Sequence, residues 1–251
     1  MKAITRSSIA YTTQDGTLGS AGMSSDEWGT IIMKRLSNGC TIVLSGDMTA
    51  DDLATFILAL KIYNLSDVTL DMSKMSITSI ASEAFSGCTA ISSVIIGGSI
   101  TTIEERAFRA CTSLTSVEIS DSVTSIGSYA FARCSALIKV TIPDSVASLG
   151  EDAFYYCTSL VTAVIGDGVA TIPSSAFYNC TALTTVTIGS AVTKISASSY
   201  SSSSSASGGA FGNCSDLATV YYNGTTSDWS SITISSTGNS YLTSAKINYS
   251  D

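Results

Sequence analysis

Residues 107–129 read AFRACTSLTSVEISDSVTSIGSY, and this stretch decides the fold. Its opening, Ala-Phe-x-x-Cys followed three residues later by Leu114, recurs from Ala84, Ala130, Ala153, Ala176 and Ala210, with Ile91 in place of Leu in the first copy. Successive copies start 23 residues apart as far as Ala176, and the last step is 34. A fixed period in this range marks a stacked-repeat solenoid. One unit so short cannot bury its own apolar face, whereas stacked units share a continuous core.

Inside the unit, Val117 and Ile119 alternate with Ser116, Glu118 and Ser120, the period of a short strand with one buried face. Ser120-Asp121-Ser122 supplies turn chemistry, and Val123 and Ile126 return the chain to the core. Gly127-Ser128 then leads into Ala-Phe, which reads as one helical or 3-10 turn on the opposite side. The corresponding inward pairs are Val94 and Ile96, Val140 and Ile142, Ala163 and Ile165, Val186 and Ile188, and Val220 and Tyr222. Stacking them predicts a parallel sheet rising roughly 4.8 Å per unit.

Leu114-x-x-Val117-x-Ile119, Asp121 to Gly127 and the Ala-Phe-x-x-Cys line together resemble the BspA-type leucine-rich repeat, common in bacterial surface proteins. The resemblance covers about residues 65–222. It implies an α/β solenoid: a leucine-rich-repeat stack with its parallel β-sheet on the concave face and short helical or 3-10 turns opposite. It also implies a non-enzymatic protein-binding module, on the cell surface or secreted, serving adhesion or host interaction. The partner would be an extracellular-matrix or host-cell protein. The competing reading is an intracellular structural or scaffold repeat protein with no adhesive role.

The ends read differently. Residues 1–22 are polar and contain no apolar leader core, so the chain is either cytoplasmic or lacks its leader here. Residues 23–64 are expected to form an N-terminal helix-strand-helix cap: a helix from Ser25 to Leu36, a strand over Thr41–Ser45 and an amphipathic helix over Leu53–Tyr63. A degenerate repeat follows, with Leu65, Val68, Leu70, Ile77 and Ile80 at near-repeat spacing. Residues 65–222 carry the repeats, interrupted by a Ser-rich insertion at 196–209 that lacks the apolar residues to order itself. Residues 223–251 are read as a C-terminal cap of short strands; Tyr221-Tyr222-x-Gly224-Thr225 with Trp229 is similar to the closing segment of BspA-like proteins.

Composition narrows the function. Net charge is −8 with acids scattered along the chain, and no basic stripe invites nucleic acid. No stretch is long and apolar enough to span a bilayer. The chain has no histidine, which removes the usual general base, the Ser-His-Asp and Cys-His arrangements and most transition-metal sites. No nucleotide or catalytic fingerprint is present, so neither an enzyme nor a cofactor or metal is expected. Gly97-Gly98 and Gly166-Asp167-Gly168 fall at repeat turns, and the acid pairs Glu104-Glu105 and Glu151-Asp152 fall where a helical turn would start. Cys88, Cys111, Cys134, Cys157, Cys180 and Cys214 share one repeat position and read as a buried, reduced ladder; Cys40 stands apart.

Binding is therefore expected on outward strand positions of the concave face. One row there is Ile95, Glu118, Thr141, Val164, Thr187 and Tyr221; the flanking row is Ser93, Ser116, Lys139, Thr162, Thr185 and Thr219. The candidate ligand-binding residues are Glu118, Lys139, Thr141, Val164, Thr187 and Tyr221, with Tyr221 the best single anchor because hot spots favour Tyr, Trp and Arg.

Overall fold

Each repeat lays down one longer strand, one two-residue strand and a tight double turn, and most of these segments pair with their counterpart one coil away. The computed structural model describes residues 10–13, 16–18, 39, 41–46, 56–57, 60, 65–197 and 208–250. The longer strands are β3 (Thr41–Gly46), β4 (Val68–Met75), β6 (Ile91–Ile95), β8 (Ser116–Glu118), β10 (Lys139–Ile142), β12 (Thr162–Ile165), β14 (Thr185–Ile188), β16 (Thr219–Tyr222) and β18 (Lys246–Tyr249). The short strands are β5 (Ser79–Ile80), β7 (Thr102–Ile103), β9 (Ser125–Ile126), β11 (Ser148–Leu149), β13 (Thr171–Ile172), β15 (Lys194–Ile195) and β17 (Thr233–Ile234). Both sets pair in parallel in coil order. At the N-terminal edge β1 (Ala10–Thr13) and β2 (Gly16–Leu18) form an antiparallel hairpin on β3, in a stretch that reads from composition only as polar.

The third side of each coil differs from the expected helical turn. The amides of Arg106, Phe108 and Ala110 donate to the carbonyls of Ser128, Ala130 and Ala132 in the next coil, at 2.9, 2.8 and 2.7 Å. Between them, Arg109 and Cys111 donate back to Arg106 and Phe108, closing two tight turns. A 3-10 helix would keep all these bonds inside the coil. The next coil's carbonyls are close enough to capture alternate amides, so the segment becomes two turns instead. The geometry requires a left-handed residue before Ala and another before Cys. Arg106 and Ala110 (φ 56° and 58°), Tyr129 and Arg133 (57° and 62°), and Asp152 and Tyr156 (57° and 59°) fill these places. A side chain there costs about 1 kcal/mol or more.

Two ladders fill the core. Phe85, Phe108, Phe131, Phe154, Phe177 and Phe211 are fully buried and stack nearly parallel, with centroids 4.9, 5.2, 5.4, 5.2 and 5.3 Å apart. The thiols of Cys111, Cys134, Cys157, Cys180 and Cys214 each donate to a carbonyl one coil back, those of Phe85, Phe108, Phe131, Phe154 and Phe177, at 3.1–3.3 Å. The expected inward strand pairs are buried, except Val117 and Ile119, which are only half-buried.

That exception marks a seam. Among the described strands each sheet is interrupted once, between β8 and β10 and between β11 and β13. A proline lies at each interruption. After the short strands, Glu104, Gly127, Gly150, Ser196 and Ser235 donate to Ile80, Ile103, Ile126, Ile172 and Ile195 at 2.7–2.9 Å. Pro173 holds that place after β13 and has no N–H for the Leu149 carbonyl. After the longer strands, Gly166 and Asn223 donate to Ile142 and Ile188 at 3.0 Å each. Pro143 holds that place after β10 and cannot donate to Ile119.

At the ends, Phe56, Ile57 and Leu60 are helical and buried, as the amphipathic pattern predicts. The expected helix at Ser25–Leu36, Cys40 and residues 198–207 of the Ser-rich insertion lie outside the described residues. An antiparallel bridge between Ala197 and Gly209 closes the base of the insertion. After Tyr222 come α1 (Thr226–Ser231), capped by a reciprocal Thr225–Asp228 box, then β17, α2 (Ser240–Ser244) and β18, so β17 and β18 continue both sheets.

Two predictions follow from this packing. Burial pushes the thiols of Cys134, Cys157 and Cys180 well above their ordinary range and that of Cys214 up to about 12. The unfolded chain releases these protons from about pH 8.5 upward while the folded chain keeps them. Stability is therefore full below that pH and falls as pH rises toward the folded values, by about 1.4 kcal/mol per unit per thiol. The thermal midpoint should drop steeply above about pH 9, and Cys157→Ala should make the drop shallower; a flat midpoint through that range would contradict the ladder. Separately, Pro173→Ser should restore a donor to Leu149. Hydrogen exchange should then find the amide at position 173 protected like that of Gly150; fast exchange there would show the seam has another cause.

Candidate binding face

The outward rows of the longer strands assemble largely as their spacing predicts. Thr141, Val164, Thr187 and Tyr221 pair in exact register on β10, β12, β14 and β16, and β18 extends the row with Asn248. The flanking row is Lys139, Thr162, Thr185, Thr219 and Lys246. Tyr221 is 49% exposed, whereas Val164 and Thr187 are half-buried. Glu118 pairs with Ile95 but not with Thr141, because the seam lies between them.

At the seam lies a cleft of about 570 Å³ lined by Thr115 to Ile119 on one side and by Ile138, Lys139 and Thr141 on the other. Ile138 is 52% exposed, and with half-buried Val117 and Ile119 it gives the cleft an apolar floor. Exposed Glu118 and Lys139 stand on its two sides as opposite charges. The structure thus gathers Glu118, Lys139 and Thr141 around one cavity and leaves Val164, Thr187 and Tyr221 further along the row. A second cleft of about 530 Å³ runs along the β13-β15-β17 sheet, among Thr171, Pro173, Lys194, Ser196 and Thr233, with Glu151 at one end.

The acid pairs have local partners. Glu104 accepts from the Ser79 hydroxyl and, at 3.0 Å, from the Ser82 amide. Glu105 lies 3.2 Å from Arg106, and burial raises the Asp152 carboxyl, an effect that the neighbouring Tyr129 offsets in part. The glycine turns are close-packed: a Cβ on Gly166 would fall 2.6 Å from the Asp144 backbone, and Asp144 Oδ1 accepts from the Asp167 amide at 2.8 Å. No described helix is long and apolar enough to cross a membrane.

Sequence reading missed the seam, Ile138 and the contribution of β18. The available signal was the two prolines: each sits at a repeat position where other coils use a backbone N–H.

Residues 78–207 match the BspA type Leucine rich repeat region in six copies. No curated protein sequence matches the chain. The fold is similar to the crystal structure of the T. pallidum leucine-rich repeat protein, with a TM-score of 0.53 and 24% identity over 72% of this chain and 78% of that one. It is also similar to the pneumococcal vaccine antigen PcpA, with a TM-score of 0.55 and 16% identity over 74% of this chain and 42% of that one. A leucine-rich cell surface protein from Faecalibacterium prausnitzii aligns at 25% identity over 69% of this chain and 68% of that one, with a TM-score of 0.36. The repeat match spans more than half of the sequence and coincides with the stacked coils: the chain belongs to the BspA-type leucine-rich repeat family.

Proposed function

We propose that the protein is a binding module that takes a protein ligand on its longer-strand sheet, the concave face of the family resemblance, without catalysing a reaction. The observation that carries this is the cleft at the β8–β10 seam, which exposed Ile138 lines together with Glu118 and Lys139. An apolar pocket flanked by opposite charges suits one anchoring side chain of a partner, with the charges orienting it. Thr141, Val164, Thr187 and Tyr221 continue the contact at one residue per coil. Family membership supports a surface or secreted location, and adhesion to an extracellular-matrix or host-cell protein is the role this location favours.

The second reading is an intracellular scaffold. It is motivated by Cys134, Cys157, Cys180 and Cys214, which are thiols rather than disulfides. Cell fractionation separates the two: protein confined to the cytosol excludes adhesion.

In surface plasmon resonance against immobilised extracellular-matrix proteins, Ile138→Ser combined with Glu118→Ala should weaken binding at least tenfold. Tyr221→Ala should weaken it several-fold. Both sites are exposed, so the thermal midpoint should stay within about 2 °C of the parent. Binding unchanged in the double variant would remove the cleft from the binding site.

A further inference from the structure

The C-terminal end of the stack is closed on one side and open on another. On the double-turn side each Phe amide donates to the next coil's Ala carbonyl, and the last, that of Phe211, donates to Asn239 Oδ1 at 3.1 Å. Fully buried Asn239 also donates through Nδ2 to the carbonyls of Ser196 and Ser235, at 3.2 and 3.0 Å, so a side chain ends that column. The longer-strand sheet has no such stop. β18 is its last strand, and the Lys246 amide donates back to Ala218 at 2.9 Å. Alternation along the strand then turns the amides and carbonyls of Ile247 and Tyr249 away from β16, into the open edge.

The core is unfinished at the same edge. Val220 and Tyr222 on β16 are buried, whereas Ile247 and Tyr249, which pair with them in register, are only half-buried, as are Trp229, Ile234 and Ala245. An open edge is a template for another strand, and β18 carries no proline to block it. Its free groups match those of its own copy. Antiparallel pairing centred on Asn248 sets Ile247 opposite Tyr249 of a second copy, twice over, and each such pair exchanges two main-chain bonds. Every free amide and carbonyl of Ile247 and Tyr249 then has a partner. The two pairs are aliphatic on aromatic, on the core side of the sheet. On the outer side Asn248 meets Asn248 and Lys246 meets Ser250, so no like charges oppose. Centring the pair on Ile247 instead would set Tyr249 opposite Ala245, whose amide already donates to Leu242.

We propose that β18 is a self-association edge, which joins two copies of the chain about a two-fold axis through Asn248. Such an interface is isologous and closes at the dimer. The two five-stranded sheets run on as one, with the axis normal to the sheet. Their outward rows face the same way, so the dimer presents Thr187, Tyr221 and Asn248 twice on one side. A ligand displayed in many copies on a surface would meet two such rows at once, the second contact being intramolecular. The association itself is independent of the cleft at the β8–β10 seam.

Sedimentation velocity of the full chain tests this, with covalent trapping as a second readout. A monomer–dimer equilibrium is expected between about 1 and 100 μM. Ile247→Pro removes an amide that makes no bond within the protomer, a loss that a sheet edge tolerates. It should weaken the dimer at least tenfold and keep the thermal midpoint within about 5 °C of the parent. Asn248→Cys, in a Cys40→Ser background, meets itself at a non-hydrogen-bonded pair with Cα atoms about 4.5 Å apart, within disulfide reach. Air oxidation should therefore give a covalent dimer, whereas Lys246→Cys in the same background should give none. Ile138→Ser with Glu118→Ala should leave the dimer unchanged, which keeps failure here distinct from failure of the protein-binding reading. A chain that stays monomeric at about 100 μM, assembly beyond the dimer, or a dimer undiminished by Ile247→Pro would overturn the proposal. So would the absence of a covalent dimer in Asn248→Cys, whatever Ile247→Pro does to folding.

Discussion

Everything in this molecule depends on the rise of the coil. Parallel strands pair about 4.8 Å apart, and the Phe centroids, 4.9 to 5.4 Å apart, follow that spacing. Each side chain's nearest foreign neighbour is therefore the same position one coil away, and a column must tolerate its own kind at about 5 Å. Phenyl rings do so by stacking. A thiol does so by reaching the carbonyl one coil back. Threonine hydroxyls do likewise, as Thr115 with Ser92 at 2.9 Å and Thr124 with Thr101 at 3.2 Å. Like charges repel at that distance; Glu83 is followed in its column by Arg106, and in the Asp121, Asp144 and Asp167 column Asp144 and Asp167 each accept from the next coil's amide, at 2.8 and 2.6 Å.

The column principle explains what could be read from sequence. Ala, Phe, Cys and Leu recur because each column has one burial state, so a repeated apolar letter is a statement about the core. The strand rows were legible for the same reason: Thr141, Val164, Thr187 and Tyr221 alternate with buried residues on paired strands. The double turn was not legible. Ala-Phe-x-x-Cys has the spacing of a helical turn, and the choice between helix and double turn is made by carbonyls 22 residues away, as with Phe108 and Ala130. The Glu104-Glu105 and Glu151-Asp152 pairs misled in the same way, because acids before a turn resemble acids at a helix start. The β1–β2 hairpin escaped because its Thr-rich strands carry no apolar alternation.

The candidate face was harder to read than the fold because its residues occupy the variable letters of the repeat. Glu118, Ile138, Lys139 and Tyr221 stand at positions that a period search discards. Pro143 was invisible for a different reason. Periodicity records side-chain polarity, and proline's effect here is the loss of a backbone donor, which shows only when ladder partners are known.

Both seams flank the same coil. The β10–β11 coil is open to the preceding coil along β8 and to the following coil along β13, yet it stays attached to each by its other sides. Toward the preceding coil, β9 pairs with β11, and Phe131 stacks on Phe154 at 5.4 Å, the widest step of the ladder. Toward the following coil, β10 pairs with β12, and Phe154 stacks on Phe177 at 5.2 Å. The amides of Phe131 and Phe154 reach across the two steps to Ala153 and Ala176, each at 2.8 Å. A three-sided coil can thus lose the ladder on one side while the other two hold the rise. Two prolines on different sides of adjacent coils mark the two interruptions, and the Phe stack runs unbroken past both. Both at one coil boundary would have left only the double turns to carry the stack. Removing a backbone donor in this way reshapes the surface at little cost: Val117 and Ile119 become half-buried at the seam, while the Phe and Cys columns stay fully buried.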